Sequence, residues 1–251
     1  MNENILTSRE YEFNDHTIEP LEIYEDSTGT LRGGVGSTIW DAAIVLSKYL
    51  EKSELYAAKK EKSVKVLELG SGTGIVGLAV ARLLSAKGIQ GKVVLTDKES
   101  VIPLLQKNTE QNVSKDVEVV AQVLDWEVIS GIKAIDSKES TEKSAKEADA
   151  GSTGAVVEST PFVNLDWDLV ILSDCIWVPG LYASLVGTIE TLVTLPATQL
   201  LIAFEKRNFS VEMEFFAKLG KTYRFRDIKP EEQDDNWQSE DIYLFLCQRR
   251  S

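Results

Sequence analysis

Chemistry based on histidine or on a bound metal has almost no material in this sequence. The 251 residues include one histidine, His16, and two cysteines, Cys175 and Cys247. A lone histidine in an N-terminal extension offers neither a core general base nor a ligand set, so no metal site is expected. The cysteines sit far apart in apolar runs, without metal or redox spacing, which excludes a disulfide framework and points to a reducing compartment. No apolar stretch is long enough to span a bilayer. Met1–Asp15 is acidic and polar and lacks the apolar core of a signal peptide, so a cytoplasmic location is expected. Positive charge is also scarce: 27 Lys and Arg stand against 40 Asp and Glu, a formal charge of −13. Such a field repels phosphate, so nucleic acid is not expected as a partner, nor, without a spanning stretch, is a membrane, whereas a basic protein segment is attracted. The same acidity serves solubility equally well.

What is present is an ordinary core-forming chain, 43% apolar, long enough to bury a sizeable interior. Residues 1–251 read as a single domain with an N-terminal extension over 1–32. Within it Leu21–Tyr24 alternates and runs into Asp26-Ser-Thr-Gly29, a turn signal, which predicts a small hairpin in the extended stretch from Tyr11 to Arg32. Helical spacing marks Ile39–Leu50 as an amphipathic helix, and the charged residues 51–63 read as solvated. Strands then alternate with helices. Strands are predicted at Val64–Leu69, Lys92–Thr96, Val117–Gln122, Trp167–Leu172 and Gln199–Phe204. Helices are predicted at Ile75–Ala86, Val101–Gln111, Leu181–Leu195 and Val211–Leu219. This pattern is that of an α/β fold around a mostly parallel sheet, closed by an antiparallel pair, Tyr223–Ile228 with Asp241–Cys247. Residues from about 131 to 160 are Ser, Lys, Glu, Ala and Gly with almost no large apolar side chains, so a disordered surface insertion is expected there.

The chemistry gathers around Glu68-Leu-Gly70-Ser71-Gly72-Thr-Gly74-Ile-Val-Gly77, between a strand and a helix. Glycines let the backbone turn tightly and approach a ligand, and the helix beyond offers free N–H groups. Asp97 ends the next strand, where a carboxylate can accept from both hydroxyls of a ribose. Two cofactors compete for this arrangement. Gly72 to Gly77 is literally G-x-G-x-x-G, the fingerprint of a nicotinamide oxidoreductase. Three features favour S-adenosylmethionine: Glu68 precedes the first glycine, the glycines begin one step early at Gly70, and acids and tryptophans recur at the ends of later strands. A non-catalytic binding module on the same scaffold is a third reading, and a tight turn without a ligand is the plainest.

Taken together, Gly33-Gly-Val-Gly36, Trp40-Asp-Ala-Ala, Val66-Leu-Glu-Leu-Gly-Ser-Gly-Thr-Gly74, Leu95-Thr-Asp97, Leu124-Asp-Trp126 and Ser173-Asp-Cys-Ile-Trp177 make the chain resemble methyltransferase family 16, the seven-strand protein-lysine methyltransferases. The likeness runs from Gly33 to the C-terminus apart from the insertion. It implies a Rossmann-like, seven-stranded class I sheet and S-adenosylmethionine as cofactor. It also implies a monomer acting on an accessible lysine of a cytosolic protein, of the valosin-containing-protein type of AAA ATPase or elongation factor 1A. Cofactor contacts are implied at Trp40, Gly70, Ser71, Gly72, Asp97, Trp126 and Ser173; the residues themselves add Glu68 beside the cofactor and Asp174 on the acceptor side, where Trp177 also stands. The family's Asp-x-x-Tyr or Asp-x-x-Phe motif here ends in Trp177, a larger ring without a hydroxyl that could wall a lysine channel.

Each residue also has a plainer reading. Trp126 stacks near adenine or merely packs. Trp40, one turn into its predicted helix, covers the methionine end of the cofactor or belongs to the core. Glu68 fixes the loop or meets the cofactor's amino group. Asp174 ends an apolar run, where an unpaired carboxylate is costly. It therefore either holds and aims a substrate ammonium or serves as an acid at the start of the following helix. Glu205, Lys206 and Arg207 read as a solvated turn. Cys175 reads as a small core residue.

Overall fold

The computed structural model describes residues 6–29, 31, 33–53, 55–57, 63–131 and 165–250. Nine strands and five α-helices are used below. The strands are β1 (Thr7–Tyr11), β2 (Leu21–Glu25), β3 (Val64–Leu69), β4 (Gly91–Asp97), β5 (Val117–Val123), β6 (Leu169–Ser173), β7 (Gln199–Glu205), β8 (Tyr223–Asp227) and β9 (Ile242–Arg249). The helices are α1 (Asp41–Ser53), α2 (Ile75–Ala86), α3 (Ile102–Gln111), α4 (Tyr182–Leu192) and α5 (Phe209–Leu219). Seven strands form one sheet in the order β5-β4-β3-β6-β7-β9-β8. The first five pair in parallel, and β9 runs antiparallel between β7 and β8. This is the predicted Rossmann-like sheet with its antiparallel closure.

The strands are apolar on both faces because both faces are covered. Val64 and Val66 join the core beneath α1, α2 and α3, while Leu67 and Leu69 join the core beneath α4 and α5. The period of two therefore turns Glu68 toward α2, with Val64 and Val66. Sheet order reverses at β3, so the carboxyl ends of β3 and β6 open a crevice between them, the usual ligand position in such sheets.

Three expectations are corrected. The hairpin exists, but β2 pairs with the upstream β1, from Thr7↔Glu25 to Tyr11↔Leu21. The Asp26–Gly29 turn instead directs the chain toward the short 3-10 helix Gly34–Ser37, with Asp26 N–H donating to the Ser37 carbonyl at 3.0 Å. Residues 51–63 are not wholly solvated: α1 runs on to Ser53, and Tyr56 is buried. Trp40 precedes α1 and is 41% exposed, so it is not core. The expected insertion near 131–160 lies, from residue 132 on, outside the described residues. Among the described residues no helix is long and apolar enough to cross a membrane, and no three potential metal ligands cluster.

Candidate active site

A cavity of about 260 Å³ opens at the carboxyl ends of β3, β4 and β6. Its floor is the glycine loop. Gly70, Gly72 and Gly74 all have positive φ, of 64°, 55° and 83°. A Cβ on Gly70 would stand 2.6 Å from Cys175 Sγ and 3.2 Å from Trp126 Cζ2, and one on Gly72 would stand 3.0 Å from the Gly36 carbonyl. Bare backbone is thus required both by conformation and by space. Gly36 belongs to the wall over the loop. That wall is held by the N-terminal hairpin, for Glu25 accepts from the Ile39 N–H at 2.8 Å. Asn108, fully buried on α3, ties the hairpin to the loop: its amide donates to the Tyr24 and Thr73 carbonyls and accepts from the Tyr24 N–H. Nothing in the spacing of the sequence signals that tie.

Glu68 resolves one of its two readings. Helix α2 begins after Gly74, which has no side chain to cap it, and the Gly77 N–H in the first turn is received by Glu68 Oε2 at 3.0 Å. A buried carboxyl beneath the loop thus takes the place of an N-cap. Burial pushes it up to about 8, against the pull of the Gly77 and Ser71 hydrogen bonds. Ser71 accepts from the Thr96 N–H at 2.9 Å, which joins the loop to β4.

Asp97, at the end of β4, accepts from the N–H groups of Gly72 and Lys98, both at 2.8 Å. Burial raises its carboxyl above the usual range. Two of its roughly four acceptor positions remain for hydroxyls. Trp126 opens a short helical segment and lies edge-on to Gly70, partly buried. Ser173 ends β6 with its Oγ buried and without a hydrogen-bond partner. An orphaned hydroxyl, a cradle that any Cβ would fill and a carboxylate with spare acceptor positions fit a nucleoside carrying an amino acid. Cys175 donates to the Leu69 carbonyl, and burial drives its thiol well up, as suits a packing residue.

At the acceptor end, Asp174 is 8% exposed and adopts φ 53°, a left-handed conformation uncommon outside glycine. It is not unpaired. Arg207 donates to both carboxylate oxygens, Nη1 to Oδ1 at 2.9 Å and Nη2 to Oδ2 at 2.7 Å, and the Glu205 N–H adds a bond at 3.2 Å. Arg207 also lies 5.6 Å over the Trp40 ring. The expectation of a solvated turn at Glu205–Arg207 is therefore corrected for Arg207. Apolar β7 ends here and Asn208 caps α5, while Glu212 Oε1 accepts from the N–H groups of Arg207 and Asn208 and holds the turn. Trp40 donates its indole N–H to the Val35 carbonyl, and Trp177 stands half exposed at the same opening. The ten residues expected from sequence at the cofactor and acceptor all line this cavity, whereas Glu205, Lys206 and Arg207 do not.

The family model for lysine methyltransferases matches residues 17–139 and 154–222. The chain belongs to the lysine methyltransferase family. The methyltransferase is an enzyme, an S-adenosylmethionine-dependent protein-lysine N-methyltransferase. Protein-lysine N-methyltransferase EFM6 of Saccharomyces cerevisiae is 28% identical, over 98% of this chain and 92% of its own. EEF1A lysine methyltransferase 3 of Xenopus tropicalis is 28% identical, over 80% of this chain and 72% of its own. Protein N-lysine methyltransferase METTL21A, also of Xenopus tropicalis, is 34% identical, over 48% of this chain and 49% of its own. With the family established, the nicotinamide and non-catalytic readings of the glycine motif fall away.

Proposed function

We propose that the cavity holds the nucleoside of S-adenosylmethionine along Asp97, Trp126 and the backbone of Gly70, Ser71 and Gly72, with Glu68 supporting that loop from below. Ser173 and Trp40 close the cofactor's methionine end, Trp40 also facing the acceptor, and Asp174 and Trp177 form the acceptor end. We place the enzyme in the cytoplasm as a monomer, with a lysine of elongation factor 1A as the first acceptor to test and a valosin-containing-protein-type AAA ATPase as the second. The observation that carries the residue assignment is the partnerless, buried Ser173 Oγ beside the glycine cradle and next to Asp174. A protein acceptor is supported by the rim. Val35, Trp40 and Trp177 line it and are exposed, and clustered exposed apolar side chains mark a docking surface. The net charge of −13 favours a basic target segment. The name of the frog relative puts elongation factor 1A first.

When bound, the cofactor supplies an electrophilic methyl group. The protein's task is to bring an amine lone pair into line with it, and alignment of this kind is worth roughly 7–11 kcal/mol. A free lysine has given up its proton only rarely at neutral pH, which costs about 4.6 kcal/mol. The apolar walls of Trp40 and Trp177 disfavour the charged form of an entering lysine, and the proton leaves to solvent. Asp174 aims the amine. The test is transfer from labelled S-adenosylmethionine to purified elongation factor 1A and to the ATPase. Labelling of lysine is expected for one of them, and slower labelling is expected in Asp174→Asn with cofactor affinity kept. An Asp174→Asn enzyme that labels as fast as the parent removes the assignment of that residue.

A further inference from the structure

The pairing of Asp174 creates a difficulty that its partner resolves. A free carboxylate beside an entering lysine would hold it as ammonium, the form that cannot attack. Arg207 engages both oxygens of Asp174 and also Glu205 Oε2, at 2.8 Å. We propose that Arg207 is a positioning residue for methyl transfer, which cancels much of the field of Asp174 and Glu205 at the acceptor end while fixing Asp174 and Trp40 on either side of it. The inference rests on the assignment of Asp174 to the acceptor.

The charged groups around this point come from several elements. Asp174 follows β6, Glu205 ends β7, and Glu212 on α5 grips the backbone of Arg207. Lys206 turns away from the cavity, toward Asp241 and Tyr243. Farther into the cavity lie Glu68, Asp97, Lys98, Asp125 and Glu127. Asp174, Glu205 and Arg207 together carry one net negative charge, enough to attract one lysine and too little to hold its proton strongly. Without Arg207 the pair of carboxylates would face the lysine unopposed. Bonding then proceeds only from the smaller neutral fraction: the nitrogen lone pair forms the N–C bond, the C–S bond breaks to leave a neutral thioether, and one proton goes to water.

The experiment is a set of pH–rate profiles for Arg207→Gln, Arg207→Lys, Asp174→Asn and the double variant, with the acceptor identified by the labelling above, elongation factor 1A in the first instance. Melting temperature and cofactor affinity establish that each variant is folded. In Arg207→Gln the rising limb of kcat moves up by about 1–3 pH units. At pH 7 kcat then falls roughly tenfold or more while KM holds or drops. Arg207→Lys restores most of the limb, and in the double variant the limb returns toward its original position, with a lower ceiling. Calorimetry of acceptor binding in buffers of different ionisation enthalpy shows fewer protons released for Arg207→Gln than for the parent at pH 8. A uniform loss of kcat at every pH, with an unmoved limb and equal proton release, overturns the proposal and leaves Arg207 a structural clamp. If Asp174→Asn alone transfers methyl at the parent rate, the acceptor assignment itself has failed.

Discussion

Replacing Glu68 by glutamine tests the account of the loop through stability and not through catalysis. The carboxyl sits beneath the glycine loop, 1% exposed, and receives one backbone N–H from Gly77. Burial moves it from an ordinary value of 4.5 to about 8. Below pH 4.5 it is protonated whether the chain is folded or not, and it imposes no penalty. Between 4.5 and 8 the unfolded chain gives up the proton while the folded chain keeps it. The folded state then binds more protons, so stability declines as pH rises. A displacement of this size corresponds to about 5 kcal/mol once pH exceeds the folded value. Glutamine keeps an oxygen for Gly77 and cannot ionise, so it removes the slope. Urea unfolding of the cofactor-free enzyme and of Glu68→Gln is compared at pH 5, 7 and 9. The difference in stability is expected to grow by about 4 kcal/mol over that range. With a slope of about 3 kcal/mol per M, the midpoints separate by more than ~1 M. Parallel pH dependences for the two proteins would refute a buried, proton-holding Glu68.

Other outcomes follow from the same geometry. Gly70→Ala combines a left-handed backbone with a Cβ 2.6 Å from Cys175 Sγ; it should cost about 2–5 kcal/mol in chemical denaturation and weaken S-adenosylmethionine binding at least ~10-fold by calorimetry. Unchanged affinity would deny that the loop is the cofactor's floor. Asn108→Ala takes the partner from the buried Thr73 carbonyl and from the part-buried Tyr24 backbone groups and should cost about 2–4 kcal/mol. Hydrogen exchange at the Tyr24 amide should accelerate, and retained protection would show that the hairpin is anchored elsewhere.

The elements that were legible in advance share a physical reason. Strands β3, β4, β6 and β7 are short apolar runs bounded by polar or glycine residues, and a strand covered on both faces must read that way. Helix α2 was legible residue for residue, because glycines precede it and apolar residues fill it. The candidate site was legible as a set of strand ends, since parallel sheets present their carboxyl ends to one side. The partner of β2 was not: alternation marks a strand but does not say which neighbour supplies its hydrogen bonds, and the Asp26–Gly29 turn pointed the wrong way along the chain.

The amino-acid order by itself determined the alternating α/β pattern, the glycine loop between strand and helix, and the acid at the end of β4, for each is a local consequence of periodicity or backbone freedom. Tertiary structure alone decided how those parts are wired. Arg207 lies 33 positions from Asp174 yet closes on both of its oxygens, because β6 and β7 are neighbours in the sheet. Glu68 serves α2 because the pleat turns it to that face, and Asn108 joins a hairpin to a loop that it never approaches in sequence. Long-range pairing of polar groups follows from which surfaces the fold buries together, and that information resides in the packed chain as a whole.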